Sequence, residues 1–180
     1  MTQKILKSEY PYRGHILNLR IDQVQIDDDT ARHYVREVVE HRGAVAIVAV
    51  DARERVLLVR QFRSGPQADT LELPAGTLES GEDPAQCAAR ELKEETGYVA
   101  ARWRSLGSFY TSPGYCTEKI YLFLAKKLIG LRATPEEDES IQAEWVSRAQ
   151  ARGKIKRGEI MDAKTIIGLQ YLAATQRRSR

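Results

Sequence analysis

The sequence predicts an α/β fold of the α+β kind: a mixed sheet with helices packed on it, and a small antiparallel strand layer ahead of it. Three observations carry this. Residues Ala44 to Val50 form an unbroken apolar run of the length of a buried strand. Asp83 to Gly97 carries the start and stop signals of one helix. Residues 5 to 40 alternate apolar and polar in several places, the period of half-buried strands. Together these elements predict a sandwich of layers around a common core.

In the first 40 residues the alternation is clearest at Ile16 to Asp22 and at Val24 to Asp27. Asp27-Asp28-Asp29-Thr30 interrupts it as a turn, and Ala31 to Val39 resumes it, which predicts an antiparallel meander. Asp51 to Glu54 reads as a turn, so Ala44–Val50 and Arg55–Gln61 are expected to pair as a hairpin. Ser64 to Asp69 is a loop, and Thr70 to Leu73 a short strand ending at Pro74-Ala75-Gly76. Further strands are expected at 103–111, 119–125 and 143–146, with an acidic loop at 134–140. A C-terminal helix is expected from Asp162 to Thr175, its apolar face formed by Ile166, Ile167, Leu169, Tyr171 and Leu172.

This divides the chain into a strand segment at 1–42 and a main domain at 43–180. The strand segment is too short for a core of its own. Its apolar positions Ile16, Val24, Ile26, Val35 and Val39 need covering, and a two-fold partner is the commonest cover among soluble oligomers. The segment is therefore expected to make a homodimer, the alternative being that its strands fold back on their own subunit.

Apolar residues make up 42% of the chain and charged residues 29%, which places it among globular rather than disordered sequences. The net charge of +3 is partly the tail Arg177 to Arg180, with no basic stripe that would predict nucleic-acid binding. No apolar run has the length of a membrane span, and no signal-peptide core follows Met1. Cys87 and Cys116 belong to no C-x-x-C pair, which fits reduced thiols and a cytoplasmic location. His15, His33 and His41 lie far apart without ligand spacing. Any metal must then be held by carboxylates, which favours Mg²⁺ or Mn²⁺ over zinc.

The chemistry concentrates on the helix. Asp83 suits the N-cap and Pro84 the first turn, Gln86 stands at the reach-back position of a capping box, and Gly97 supplies a left-handed stop. At 100° per residue Ala85, Ala88, Ala89 and Leu92 share the expected core face. Glu91, Glu94 and Glu95 gather on the adjacent arc with Arg90 at its edge, while Lys93 points away. Glu91 and Glu95 are a like-charged i,i+4 pair, which costs an isolated helix a few tenths of a kcal/mol. Taken alone, such an acidic run is a solvated face; its surroundings point instead to a bound cation.

Those surroundings are Gly76, five residues, Glu82, seven residues, and then Arg90-Glu91-Leu92-Lys93-Glu94-Glu95-Thr96-Gly97-Tyr98. This pattern resembles the Nudix box. Tyr98, where an aliphatic residue is usual, is the one soft departure. Leu71 to Gly76 resembles the strand and turn that lead into the box. Ser112-Pro113-Gly114, Glu118 and Glu137-Asp138-Glu139 resemble the ADP-ribose pyrophosphatase branch, and the N-terminal strands resemble its extra subdomain.

The resemblance implies a Nudix α/β/α sandwich that binds two or three Mg²⁺ or Mn²⁺ ions through Glu91, Glu95, the carbonyl of Ala75, and Glu82. It has Glu94 complete that shell with Glu82 and counts Glu94 among the catalytic residues. Arg90 then orients the glutamates, and Glu139, followed by Glu137, is the candidate base or further ligand. Arg63 resembles a diphosphate-binding arginine, although a surface arginine is the alternative reading of that residue. Arg36 and Arg42 are weaker versions of the same guess. Glu118, near Pro113 and Gly114, can accept hydrogen bonds from ribose hydroxyls. Cys116 has no partner base, so nucleophilic catalysis is not expected. The implied reaction is ADP-ribose plus water giving AMP plus ribose 5-phosphate. A different nucleoside diphosphate derivative (GDP-mannose, NADH or a dinucleoside polyphosphate) is the alternative substrate. A non-catalytic nucleotide-binding module is the alternative class, and the four intact box glutamates argue against it.

Overall fold

The computed structural model describes residues 3–27, 32–131 and 142–177. Contacts divide the chain into two compact units, Met1–Gly43 with Tyr110–Lys119, and Ala44–Phe109 with Ile120–Arg180.

In the first unit β1 (Gln3–Arg13), β2 (Leu17–Ile26) and β3 (His33–His41) form an antiparallel sheet in the order β1-β2-β3. Val24 is fully buried, but every residue of β1 is exposed. Asp22, only 2% exposed, accepts from Nε and Nη2 of Arg20, each at 2.9 Å, and from the Ser8 hydroxyl at 2.7 Å. Burial pushes this carboxyl up, yet Arg20 and Ser8 hold it below its usual value. The segment from Tyr110 to Lys119 runs beside β3. Val39 N–H donates to the Tyr115 carbonyl at 2.7 Å, and Thr117 N–H donates to Val39 O at 2.9 Å.

The second unit is built on β4 (Ala44–Ala49), whose six residues are all buried. β4 pairs antiparallel with β7 (Ala75–Thr77) and parallel with β9 (Lys119–Gly130), and β8 (Tyr98–Tyr110) completes a mixed sheet in the order β7-β4-β9-β8. The period of two along β4 separates two cores. Ala44, Ala46 and Val48 join the cluster containing Leu169 and Leu172 of α3 (Ala163–Arg177). Val45, Ile47 and Ala49 join the cluster containing Cys87, Ala88 and Leu92 of α1 (Pro84–Thr96). A helix therefore covers each face of the sheet, as the predicted sandwich requires. A second sheet orders β10 (Gln142–Val146), β5 (Val56–Arg63) and β6 (Ala68–Glu72) as β10-β5-β6. α2 (Arg148–Lys156) follows β10.

Four local points differ from the expectation. β4 and β5 are not a hairpin: one bridge, Val50 to Val56, joins them before they enter different sheets. Asp51 makes the corner by accepting the N–H groups of Arg53 and Arg55 at 2.9 Å and 2.8 Å. On α1 the buried face is Cys87, Ala88 and Leu92, whereas Ala85 and Ala89 are exposed. α2 has no counterpart among the expected elements, and β8 begins five residues before the expected Trp103.

Candidate active site

Local signals put α1 where it is. Asp83 accepts the N–H groups of Ala85 and Gln86 at 2.8 Å and 3.3 Å. Gly97 adopts φ 69°, the left-handed stop, and returns its N–H to Lys93 O at 2.9 Å. Burial of Cys87, Ala88 and Leu92 against β4 turns Glu91 and Glu95 toward β7. A β-carbon on Gly76 would stand 1.9 Å from Glu91 Cδ, so only glycine lets that carboxylate lie over the strand. One residue earlier, Ala75 N–H donates to Glu95 Oε2 at 3.0 Å. Both box carboxylates are thus fixed against the backbone of β7.

Arg90 gathers the others. Its Nε and Nη2 donate to the two oxygens of Glu82 at 2.9 Å and 3.0 Å, and its Nη1 to Glu91 at 2.7 Å and Glu94 at 3.0 Å. Glu82 also accepts the Glu79 N–H at 2.9 Å. Arg90 above all holds the Glu82 carboxyl down to about 2. Glu91 goes the other way. Burial raises its pKa, the charges of Glu94 and Glu82 add to the rise, and Arg90 only partly opposes them. Burial, and secondarily Glu82, push the Cys87 thiol up to about 12, which leaves it inert as a nucleophile.

The residues fit a divalent cation. Three carboxylates meet one guanidinium and a fourth, Glu95, accepts from the β7 backbone; the donors are all hard oxygens, and Gly76 keeps the space beside Glu91 clear of a side chain. Among the described residues no three acidic, histidine or cysteine side chains already stand as a metal cluster. Three of the four glutamates point instead at Arg90.

Arg63 ends β5 in the same unit and engages Glu72. Arg36, Arg42, Pro113, Gly114 and Glu118 belong to the first unit. Arg36 donates to Val35 O and lies 5.7 Å over the Tyr34 ring, and Arg42 donates to His15 O at 2.7 Å. Pro113 and Gly114 are exposed in a turn closed by Cys116 N–H to Ser112 O at 2.9 Å. Glu118 Oε1 lies 3.9 Å from Nδ1 of His41, a nitrogen that accepts the Gly43 N–H. Glu137 and Glu139 lie outside the described residues.

Sequence reasoning missed the polar cluster of Glu72, Asp162, Lys164 and Thr165. Its signal was a charged residue between two strand leucines, Leu71-Glu72-Leu73, since a carboxylate placed there demands cations.

The NUDIX domain family model matches residues 40–166. The chain belongs to the Nudix family, whose members generally use divalent metals. It is 37% identical to an ADP-ribose pyrophosphatase of Bacillus subtilis, over 96% of this chain and 93% of that one. It is 38% identical to the methanol dehydrogenase activator of Bacillus methanolicus, covering 94% and 92%. It is 36% identical to a GDP-mannose pyrophosphatase of Escherichia coli, covering 94% and 91%. A solved structure described as an ADP compounds hydrolase superposes with a TM-score of 0.85 at 21% identity, covering 99% and 96%, and shares the fold.

Proposed function

We propose that the protein is a cytoplasmic, homodimeric hydrolase that cleaves ADP-ribose to AMP and ribose 5-phosphate. The observation that carries this is the seating of Glu91 and Glu95 on β7, with Glu91 in the space that Gly76 leaves open. Glu91, Glu95, Glu82 and the Ala75 carbonyl hold the metal, and Glu94 stands beside them. When bound, two or three Mg²⁺ ions, replaceable by Mn²⁺, neutralise the diphosphate and make a nearby water more acidic.

The chain's own residues do the rest. Arg63 binds the diphosphate, because a guanidinium matches phosphate geometry. Arg90 keeps Glu82, Glu91 and Glu94 aimed. Glu139, with Glu137 second, takes the proton of the attacking water. That water forms a bond to one phosphorus, and the bridging oxygen leaves with the other phosphate. Glu118, Pro113 and Gly114 contact the ribose side, and Arg36 and Arg42 extend the anion-binding surface. Residues 1–42 form the dimerisation segment.

A second reading changes the substrate to a nucleotide sugar, and the likeness to a GDP-mannose pyrophosphatase favours it. The test is a Mg²⁺-dependent product assay with ADP-ribose, GDP-mannose, NADH and a dinucleoside polyphosphate. The highest kcat/KM on ADP-ribose supports the proposal, and a higher value on GDP-mannose overturns its substrate. No turnover on any of them would leave a binding or regulatory role.

A further inference from the structure

Among the described residues of the second unit outside the box, the most heavily engaged buried charge is Glu72, at the end of β6 and 3% exposed. A carboxylate so buried is tolerated only when its oxygens are fully paired. Arg63 supplies Nε to Oε1 at 3.0 Å and Nη2 to Oε2 at 2.7 Å. The Thr70 hydroxyl donates to Oε1, and Lys164 Nζ donates to Oε2. Lys164 is itself held by Asp162 at 3.0 Å, and Asp162 accepts the Thr165 N–H at 2.9 Å in the first turn of α3. The Thr165 hydroxyl in turn accepts the Leu73 N–H at 2.8 Å. The carboxylate is therefore clamped from behind by α3 before it meets Arg63.

That leaves the arginine half used. Its Nε edge is spent on Glu72. Among the described residues no hydrogen bond engages Nη1, and the side chain is 39% exposed. The charge of Glu95 also acts on this guanidinium, so the Arg63 side chain lies within electrostatic reach of the box. A free arginine would lose rotamer entropy on meeting a phosphate. One already fixed by a rigid carboxylate loses less.

We propose that Glu72, clamped by Lys164 and Thr70, is the positioning residue that fixes Arg63 so that its open Nη1 edge meets a phosphate of the nucleoside diphosphate. This rests on the reading of Arg63 as the diphosphate contact. It adds a buried carboxylate and the first turn of α3 to the substrate site. Glu72 touches no substrate in this scheme and acts through Arg63.

The experiment is a double-mutant cycle of Glu72→Gln and Arg63→Lys. Binding of ADP-ribose is measured by calorimetry in EDTA, where no turnover occurs, and kcat and KM are measured with Mg²⁺. Each single change should weaken ADP-ribose binding about tenfold, the size of one charge-assisted hydrogen bond. The double variant should lose no more than about twofold beyond Arg63→Lys, because both changes break the same contact. KM should rise more than kcat falls. Glu72→Asp, which keeps the charge but retracts the carboxylate, takes the place of Glu72→Gln in the same cycle if the latter does not fold. Additive losses would overturn the proposal. So would a Glu72 variant that melts earlier but binds ADP-ribose with wild-type affinity, since that is a purely structural role. If the wild type binds GDP-mannose but not ADP-ribose, the substrate reading fails alone and the cycle is read with GDP-mannose.

Discussion

Gly76 and Glu91 occupy one space: a β-carbon on the first would lie 1.9 Å from the carboxyl carbon of the second. The glycine in the box is thus a packing requirement of the glutamate. Gly76→Ala should push Glu91 off β7 while leaving the core of α1 intact. Metal affinity, followed by Mn²⁺ titration, should fall by about 10- to 100-fold, the usual cost of disturbing a ligand's support. Wild-type Mn²⁺ affinity in the alanine variant would show that Glu91 is not a ligand.

Glu95 is held differently, by the N–H of Ala75 at 3.0 Å. Glutamine keeps the shape and removes the charge. Glu95→Gln and Glu91→Gln should each lower kcat by at least 100-fold at saturating Mg²⁺ if they hold the metal. A Glu95→Gln enzyme with near wild-type kcat would remove this residue from the metal site.

The Glu72 cluster makes a pH prediction whose sign is set by its environment. Burial raises the carboxyl pKa, but the Arg63 hydrogen bond, the Lys164 charge and hydrogen bond and the Thr70 hydroxyl overcome it, leaving about 2. A carboxyl held below its unfolded value stabilises the fold above that value, and the contribution is lost as pH falls toward the folded one. Here it amounts to about 3 kcal/mol, present above about pH 5 and lost progressively down to about pH 2. Denaturant unfolding of wild type and Glu72→Gln should therefore differ most near neutrality and converge in acid. A difference that stayed constant from pH 7 to pH 3 would contradict the ion pairs.

These predictions draw unequally on the sequence. The helix from Pro84 to Thr96 was legible to the residue because its caps, Asp83 and Gly97, are local chemistry. Its buried face was not: the angular pattern favours Ala85 and Ala89 over Cys87, and only packing against β4 decides which flank is covered. β4 and β5 were each legible as strands, but their partners were not, since pairing with β9 or β10 joins residues 76 to 90 positions apart. α2 left a signal that went unread. Ser147 and Gln150 form a capping box, masked by a segment rich in Arg and Lys and broken by Gly153. At the site, box spacing located the glutamates on α1. The Arg63–Glu72–Lys164 chain joins three elements and appears only once they are packed.

Glu139 tests the acidic segment. If it takes the proton from water, Glu139→Gln should lower kcat with a smaller change in KM, the mark of an interaction made only in the transition state. An effect confined to KM would move this residue to substrate binding.

The last prediction concerns β1. All eleven of its residues are exposed, and Ile5, Leu6, Tyr10 and Tyr12 are 37% to 57% exposed. Ile16 and Val35 in the same unit stand at 60% and 61%, whereas Val24 is fully covered within its own chain. A long apolar edge strand is a template for pairing with another chain, and proteins that leave one open invite aggregation. Lys4, Lys7, Glu9 and Arg13 interrupt its apolar positions, but Lys7 and Glu9 neutralise each other at 2.6 Å. A second copy of the chain can cover the same patch on both subunits at once through a two-fold axis. Light scattering at micromolar concentration should give twice the 20.4 kDa chain mass. Charged replacements at two exposed positions, Ile5→Lys with Tyr12→Glu, should shift the protein toward monomer. Activity should fall with dimer fraction if Arg36 or Arg42 serves the partner's site. A fully active wild-type monomer would refute both the dimer and the shared site.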